Sequence, residues 1–334
     1  MKTIAFFEIT PKEKKYLKKK FKKDFELFFY KEELNPDTAG IIKNADVISP
    51  FIYSKIDSEV LSKANKLKLI ATRSTGFNHI DIIGAEKKNI SVSNVPYYGE
   101  NTVAEHTFAL ILALSRNLHK AYVRTIRNDF TLQGLQGFDL RGKTLGVIGA
   151  GSIGVHVIKI AKGFGMKVIA SDAKPNHILE ELLDFKYVSL DELLKNSDII
   201  TLHCPYNIHT HHLINMNNIN KVKKGTLFIN TARSGIIEPQ SLYHAIEKGI
   251  FSGAGLDVFE GEELLKEENQ MLTKNVSVEH LEAILKRNIL LRNENVIITP
   301  HMAFDSTEAV ERILDTTVEN IISFFEGKNY HKVV

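Results

Sequence analysis

A single cysteine, Cys204, in 334 residues rules out an internal disulfide and suits a reducing compartment. Long apolar runs are missing too, and no stretch reaches the roughly eighteen residues a membrane span needs. The opening MKTIAFFEITPKEKK has an apolar run too short for a signal-peptide core, with charge where a cleavage site would stand. An excess of one charge sign is also lacking. Lys and Arg number 43 against 40 Asp and Glu, and a net charge of +3 gives no reason to invoke nucleic acid. No internal repeat or low-complexity linker is visible. These absences point to a cytoplasmic protein with neither membrane nor nucleic acid as partner. At 43% hydrophobic and 25% charged residues, the chain is long enough for two domains with a sizeable core.

The most informative stretch is KTLGVIGAGSIGVHVIKIAKGFGMKVIASD, residues 143–172. A short β-branched run, Leu145 to Ile148, reads as a buried strand, and Gly149, Gly151 and Gly154 follow at GxGxxG spacing. The first glycine allows a tight turn. The second lets backbone N–H groups approach a pyrophosphate, and the third lets the next helix pack closely on the sheet. Ser152 and Ile153 open that helix, whose N-terminus favours an anion. Met166 to Ala170 reads as the next strand, and Asp172 at its end is placed to bind an adenosine ribose, which favours NAD over NADP.

Strand-like runs precede this stretch at residues 2–9, 25–29, 45–49, 67–71 and 90–92, with helical patterns between them. The lysine-rich segment 12–23 carries Tyr16, Leu17, Phe21 and Phe25 near helical spacing, so it reads as an amphipathic helix with a solvated basic face. A long helical pattern spans 102–118. After Asp172, runs at 198–202, 226–230, 252–258 and 295–299 continue the alternation, and Gly225 and Gly249 read as helix ends. Residues 263–293 read as a helical insertion, and 307–325 as an amphipathic helix returning to the first unit. The class is α/β, with two doubly wound parallel sheets.

Polar groups stand at strand ends, where open α/β sheets bind ligands. Arg233 follows the run 226–230, Glu262 follows 252–258, and His301 follows 295–299. The HTHH run at 209–212 lacks the further ligands that a zinc site needs, and no metal is expected.

Taken together, RSTGFNHID (73–81), YGENTVAEHTFALILALSR (98–116), LGVIGAGSIG (145–154), SDIITLHCPYNIHTHHLIN (197–215), FINTARSGIIEPQSL (228–242), GAGLDVFEGEE (253–263) and ITPHMAFDSTEA (298–309) resemble the D-isomer-specific 2-hydroxyacid dehydrogenases. The D-lactate dehydrogenase branch is the most similar. The resemblance implies a Rossmann NAD-binding domain over 101–300 and a flavodoxin-like substrate domain over 1–100 plus 301–334. It implies that Arg233 binds the substrate carboxylate, His301 is the acid/base, and Glu262 hydrogen-bonds the imidazole. His203, Cys204, Pro205, Thr231, Ala232 and Asp257 would line the cofactor site beside the glycine loop, Asp172, Arg233 and His301. Thr75, Gly76, Tyr98, Phe304 and Tyr53 would line the substrate site. The implied cofactor is NAD, the partner a small 2-oxo or 2-hydroxy acid, and the assembly a homodimer built on the helix 102–118 and the loop 124–140. Pyruvate to D-lactate leads the expected reactions. Glyoxylate, hydroxypyruvate, phosphoglycerate, phosphite and formate remain alternatives, as does an NAD-sensing corepressor-like protein. Ser234 departs from the glycine usual after the arginine, and Cys204 reads as an inert buried thiol, with a redox-sensitive position as the alternative.

Overall fold

The computed structural model describes residues 1–259, 288–328 and 330–334. They fall into two units, Met1–Tyr98 with Ser306–Val334, and Gly99–Asp305. Among the described residues no helix is long and apolar enough to cross a membrane.

In the first unit the apolar runs become five parallel strands: β1 (Lys2–Phe6), β2 (Phe25–Phe29), β3 (Val47–Ser49), β4 (Leu69–Ala71) and β5 (Ser91–Ser93), in the order β2-β1-β3-β4-β5. Period-two alternation splits their side chains between two cores. Ala5, Ile48, Ile70 and Val92 face one, while Ile4, Phe6, Val47 and Leu69 face the other with Leu314, Val318 and Ile321 of the C-terminal helix Thr307–Glu326. Helix α1 (Pro11–Lys20) starts at a capping box between Thr10 and Glu13 and buries Leu17, leaving its lysines to solvent. Helices α2 (Ser58–Ser62) and α3 (Ile82–Lys87) are capped by Asp57 and Asp81. Val333 N–H and Val334 C=O bond to Val92, so the chain's end lies along the β5 edge.

In the second unit, seven parallel strands run in the order β12-β11-β10-β9-β6-β7-β8. They are β6 (Thr144–Ile148), β7 (Lys167–Ser171), β8 (Lys186–Tyr187), β9 (Ile199–Leu202), β10 (Thr226–Asn230), β11 (Phe251–Leu256) and β12 (Val296–Ile298). The chain builds outward from β6 through β7 to β8, then crosses back to start the other half at β9. β6 and β9 are neighbours, and the strand order reverses between them, which is where such sheets bind ligands. Helices α4 (Glu100–Ser115), α5 (Leu118–Thr125) and α6 (Ser152–Gly163) precede and follow β6. Further along come α7 (His177–Leu182), α8 (Leu190–Asn196) and α9 (Pro239–Glu247).

Three details differ from the pattern-based expectation. The helix expected over 102–118 breaks at Asn117, which takes a left-handed conformation (φ 49°) that Asn tolerates. β8 has two residues, too few to leave a periodic signal. Gly225 ends no α-helix; it lies in the turn entering β10, four residues after the 3-10 turn Ile219–Lys221, and its N–H bonds to Ile250 C=O. The helical insertion expected over 263–293 falls largely outside the described residues.

Candidate active site

The glycine loop sits between β6 and α6, and each glycine has a different spatial reason. Gly149 has φ 94°, and a Cβ there would lie 2.5 Å from Cys204 N, so the loop runs against the end of β9. A Cβ on Gly154 would lie 2.1 Å from Gly149 C=O, so α6 packs on the loop itself. A Cβ on Gly151 would meet nothing within 4 Å. That glycine is also the N-cap of α6, which no side chain caps, and the N–H groups of Ser152 and Ile153 in its first turn have no partner among the described residues. Asp172, just past β7, accepts Ala150 N–H (2.8 Å) and Lys174 N–H (2.8 Å), one on each oxygen. Each oxygen keeps lone-pair capacity for another donor. An open cradle of N–H groups with a carboxylate beside it fits the pyrophosphate and ribose of a dinucleotide.

At the end of β9, His203 bonds to Thr201 Oγ1 through Nε2 (2.8 Å), while its Nδ1 is buried without a partner among the described residues. Burial pulls this imidazole down to about 3, so it is neutral. Burial pushes the Cys204 thiol up to about 11, with the Asp172 charge adding to the effect. A thiol held that high is not a thiolate at neutral pH. Pro205 is exposed beside it.

The loops after β10 and β12 carry Arg233 and His301. Buried Asn230 organises the first: its carbonyl oxygen accepts Ala232 N–H (3.0 Å) and its amide donates to Arg233 C=O (3.0 Å). Arg233 is exposed, its guanidinium donating to Ala232 C=O (2.7 Å) and otherwise turned to solvent. Thr231 Oγ1 meets Thr107 Oγ1 of α4 at 3.0 Å. Asp257, fully buried at the end of β11, organises the second loop. Its carboxylate accepts Met302 N–H (2.9 Å), Ala303 N–H (2.8 Å) and the Thr299 hydroxyl, and its C=O accepts His301 N–H (3.0 Å). His301 is thereby held half-buried at φ 52°, an uncommon conformation for a residue with a Cβ. Phe304 follows on the same loop, half-buried.

In the other unit, Thr75 and Gly76 follow β4. Among the described residues their backbone N–H groups have no hydrogen-bond partner, while Thr75 Oγ1 donates to Val95 C=O (2.8 Å) and Asn94 donates to Thr75 C=O (2.8 Å). Tyr53 is 43% exposed on the loop after β3. That loop is held by Glu8, whose carboxylate accepts the N–H groups of Phe51, Tyr53 and Ser54. Beneath it, fully buried Arg73 donates to Ser49 C=O (2.6 Å) and Phe7 C=O (2.6 Å). Tyr98 is half-buried, and its C=O accepts Arg312 Nε–H (2.6 Å).

Glu262 lies outside the described residues. Among the described residues no group of three or more His, Cys, Asp or Glu is placed to hold a metal ion. In the HTHH run, His211 stacks on His212 at 3.8 Å and meets the Tyr206 hydroxyl at 3.0 Å. Sequence reading passed over Glu8, Asn230, His106 and Thr299. Of these, Asn230 and Thr299 could have been suspected as polar residues closing apolar strands next to Arg233 and His301.

Residues 108–303 match the family model of the D-isomer specific 2-hydroxyacid dehydrogenase, NAD binding domain. A 2-hydroxyacid dehydrogenase homolog 1 of Schizosaccharomyces pombe is 38% identical over 99% of this chain and 98% of its own. Among solved structures, the pyruvate reductase of Chlamydomonas reinhardtii superposes with a TM-score of 0.88 at 37% identity, covering 98% of both chains. The D-lactate dehydrogenase of Aquifex aeolicus, complexed with NAD and lactic acid, superposes with a TM-score of 0.86 at 40% identity, covering 97% of this chain and 96% of that one.

Proposed function

Because the chain belongs to the D-isomer-specific 2-hydroxyacid dehydrogenases and carries their NAD binding domain, we propose that it reduces a short 2-oxo acid to the D-2-hydroxy acid with NADH, pyruvate to D-lactate above all. Pyruvate is favoured because the two solved structures reported above, which match along nearly their whole lengths, are a pyruvate reductase and a D-lactate dehydrogenase holding lactic acid.

The unit Gly99–Asp305 would hold the cofactor, with the glycine loop and the start of α6 on the pyrophosphate and Asp172 on the adenosine ribose. When bound, the nicotinamide supplies the hydride. Arg233 offers a planar guanidinium to the substrate carboxylate and polarises the 2-oxo group. The N–H groups of Thr75 and Gly76 are further carboxylate donors, and Tyr53, Tyr98 and Phe304 are the candidates for contact with the rest of the acid. His301 gives its proton to the carbonyl oxygen in reduction and takes it back in oxidation. Glu262 is assigned to that imidazole from the sequence motif. Asp257 holds the His301 loop from the inside.

We also propose a homodimer in the cytoplasm. Helix α5 buries none of its residues, and Leu118, Tyr122 and Ile126 recur along one face of it, with Phe130 and Leu132 in the loop beyond. These five are 62–83% exposed, an apolar surface that a second copy would cover.

NADH oxidation at neutral pH against pyruvate, 2-oxobutyrate, phenylpyruvate, glyoxylate, hydroxypyruvate and 3-phosphohydroxypyruvate, with chiral analysis of products and NADPH as control, tests the proposal. The expected result is fastest turnover of pyruvate to the D-product with NADH. Faster turnover of another acid would move the substrate, and no turnover at all would point to phosphite, formate or a binding role.

A further inference from the structure

We propose that His106 of α4 is a positioning residue for His301, acting through Thr299 and Asp257. This rests on His301 being the acid/base.

The loop from Thr299 to Ala303 is tied to Asp257 at four points, through the Thr299 hydroxyl and the N–H groups of His301, Met302 and Ala303. Those ties hold His301 at φ 52°, a backbone conformation it would leave if they weakened. Three of the four end on the Asp257 carboxylate, which is fully buried, and the fourth on its backbone C=O. A buried carboxylate needs a full set of donors. Thr299 supplies one of them, and His106 stands behind Thr299. Its Nε2 lies 3.2 Å from Thr299 Oγ1 and 3.5 Å from Asp257 Oδ1. The Thr299 hydroxyl has a single proton, which it gives to Asp257, so its oxygen can only accept from His106. Both atoms facing Nε2 are acceptors. The imidazole must carry its proton there, and that N–H donates to Thr299 with the Asp257 oxygen close beside it.

The placement of His106 is itself rigid. α4 buries Val103, Ala104, Thr107, Leu110 and Ile111, and the His106 side chain is 17% exposed. The next residue, Thr107, meets Thr231 in the loop that carries Arg233. Two consecutive residues of one helix thus brace the two loops that hold the acid/base and the carboxylate-binding arginine.

The test compares wild type with His106→Leu, His106→Gln, Thr299→Val, the double variant His106→Leu/Thr299→Val, and His301→Ala. It measures kcat and KM with the preferred 2-oxo acid, calorimetric affinity for NADH, and affinity for oxamate, a pyruvate isostere, with NADH bound. Losing the Thr299 hydroxyl's bond to the charged carboxylate is worth about ten- to a hundredfold, and losing His106 removes the donor that orients that hydroxyl. His106→Leu and Thr299→Val should each lower kcat by about that factor and weaken oxamate, while NADH affinity stays within about twofold. The double variant should be no worse than the poorer single one, because both cut the same chain of bonds. Glutamine keeps an N–H donor at similar reach, so His106→Gln should recover most of the loss. The proposal is overturned if His106→Leu and Thr299→Val keep kcat within about twofold of wild type, or if His106→Gln falls as far as His106→Leu. Should the leucine variant not fold, Thr299→Val and His106→Gln carry the same comparison. If His301→Ala turns over like wild type, the acid/base assignment fails instead.

Discussion

Alanine at Gly151 and at Gly154, introduced separately, should split what the glycine loop does for cofactor from what it does for the fold. At Gly151 the added methyl meets nothing within 4 Å, and the backbone φ of −74° suits any residue. Stability should therefore change by no more than ~0.5 kcal/mol. The same methyl stands in the space through which a pyrophosphate would reach the first N–H groups of α6. One hydrogen bond to a charged group is worth ~1.5–3 kcal/mol, so NADH affinity should fall by about ten- to a hundredfold. At Gly154 the methyl lies 2.1 Å from Gly149 C=O, and either α6 or the loop must move by on the order of 1 Å to relieve it. Overpacking of this kind costs ~1–3 kcal/mol, which in a unit this size lowers Tm by roughly 3–10 °C. NADH affinity should fall as well, since the loop is displaced. Gly163→Ala, at the end of α6 with nothing within 4 Å of the new Cβ, is the control that should leave both quantities close to wild type. Calorimetry reads both Tm and NADH affinity. Unchanged NADH affinity in Gly151→Ala would refute the cradle, and an unchanged Tm in Gly154→Ala would refute the tight helix–loop contact.

Two further outcomes are expected. Burial holds His79 at about 4 and His203 at about 3, both below the ordinary 6.5. The unfolded chain binds protons that the folded chain refuses once pH drops through 6.5, so stability falls in acid until those lower values are reached. Each imidazole should cost about 2 kcal/mol between pH 8 and pH 5. His203→Asn should flatten that fall in thermal melts, and an identical slope in wild type and variant would exclude His203 as a cause. For the exposed α5 face, sedimentation velocity should show a dimer for the wild type and a monomer for Tyr122→Glu/Phe130→Lys; a wild-type monomer would remove this surface as a self-interface.

Much of this is readable in the sequence because the signals are local. Buried parallel strands are continuous apolar runs, so β6, β7, β9, β10 and β11 announce themselves in sequence. The glycine spacing and Asp172 lie within a single βαβ unit, where the chain needs only its own neighbours to form the turn and the helix start. Arg233 and His301 stand out because each closes an apolar run with a polar group. Boundaries were less legible where one residue's conformation decides them, as at Asn117, or where an element is as short as β8.

The sequence by itself determined the α/β class, the two parallel sheets and which residues lie at strand ends, since periodicity and turn chemistry act over a few neighbours. Only the tertiary structure decided what holds those residues. Thr299 and Asp257 are 42 residues apart, His106 and Thr299 are 193 apart, and Glu8 reaches a loop 43–46 residues away. Such bonds arise because the sheet order brings distant strand ends side by side, and no local pattern in a chain records which of its buried donors will meet which acceptor.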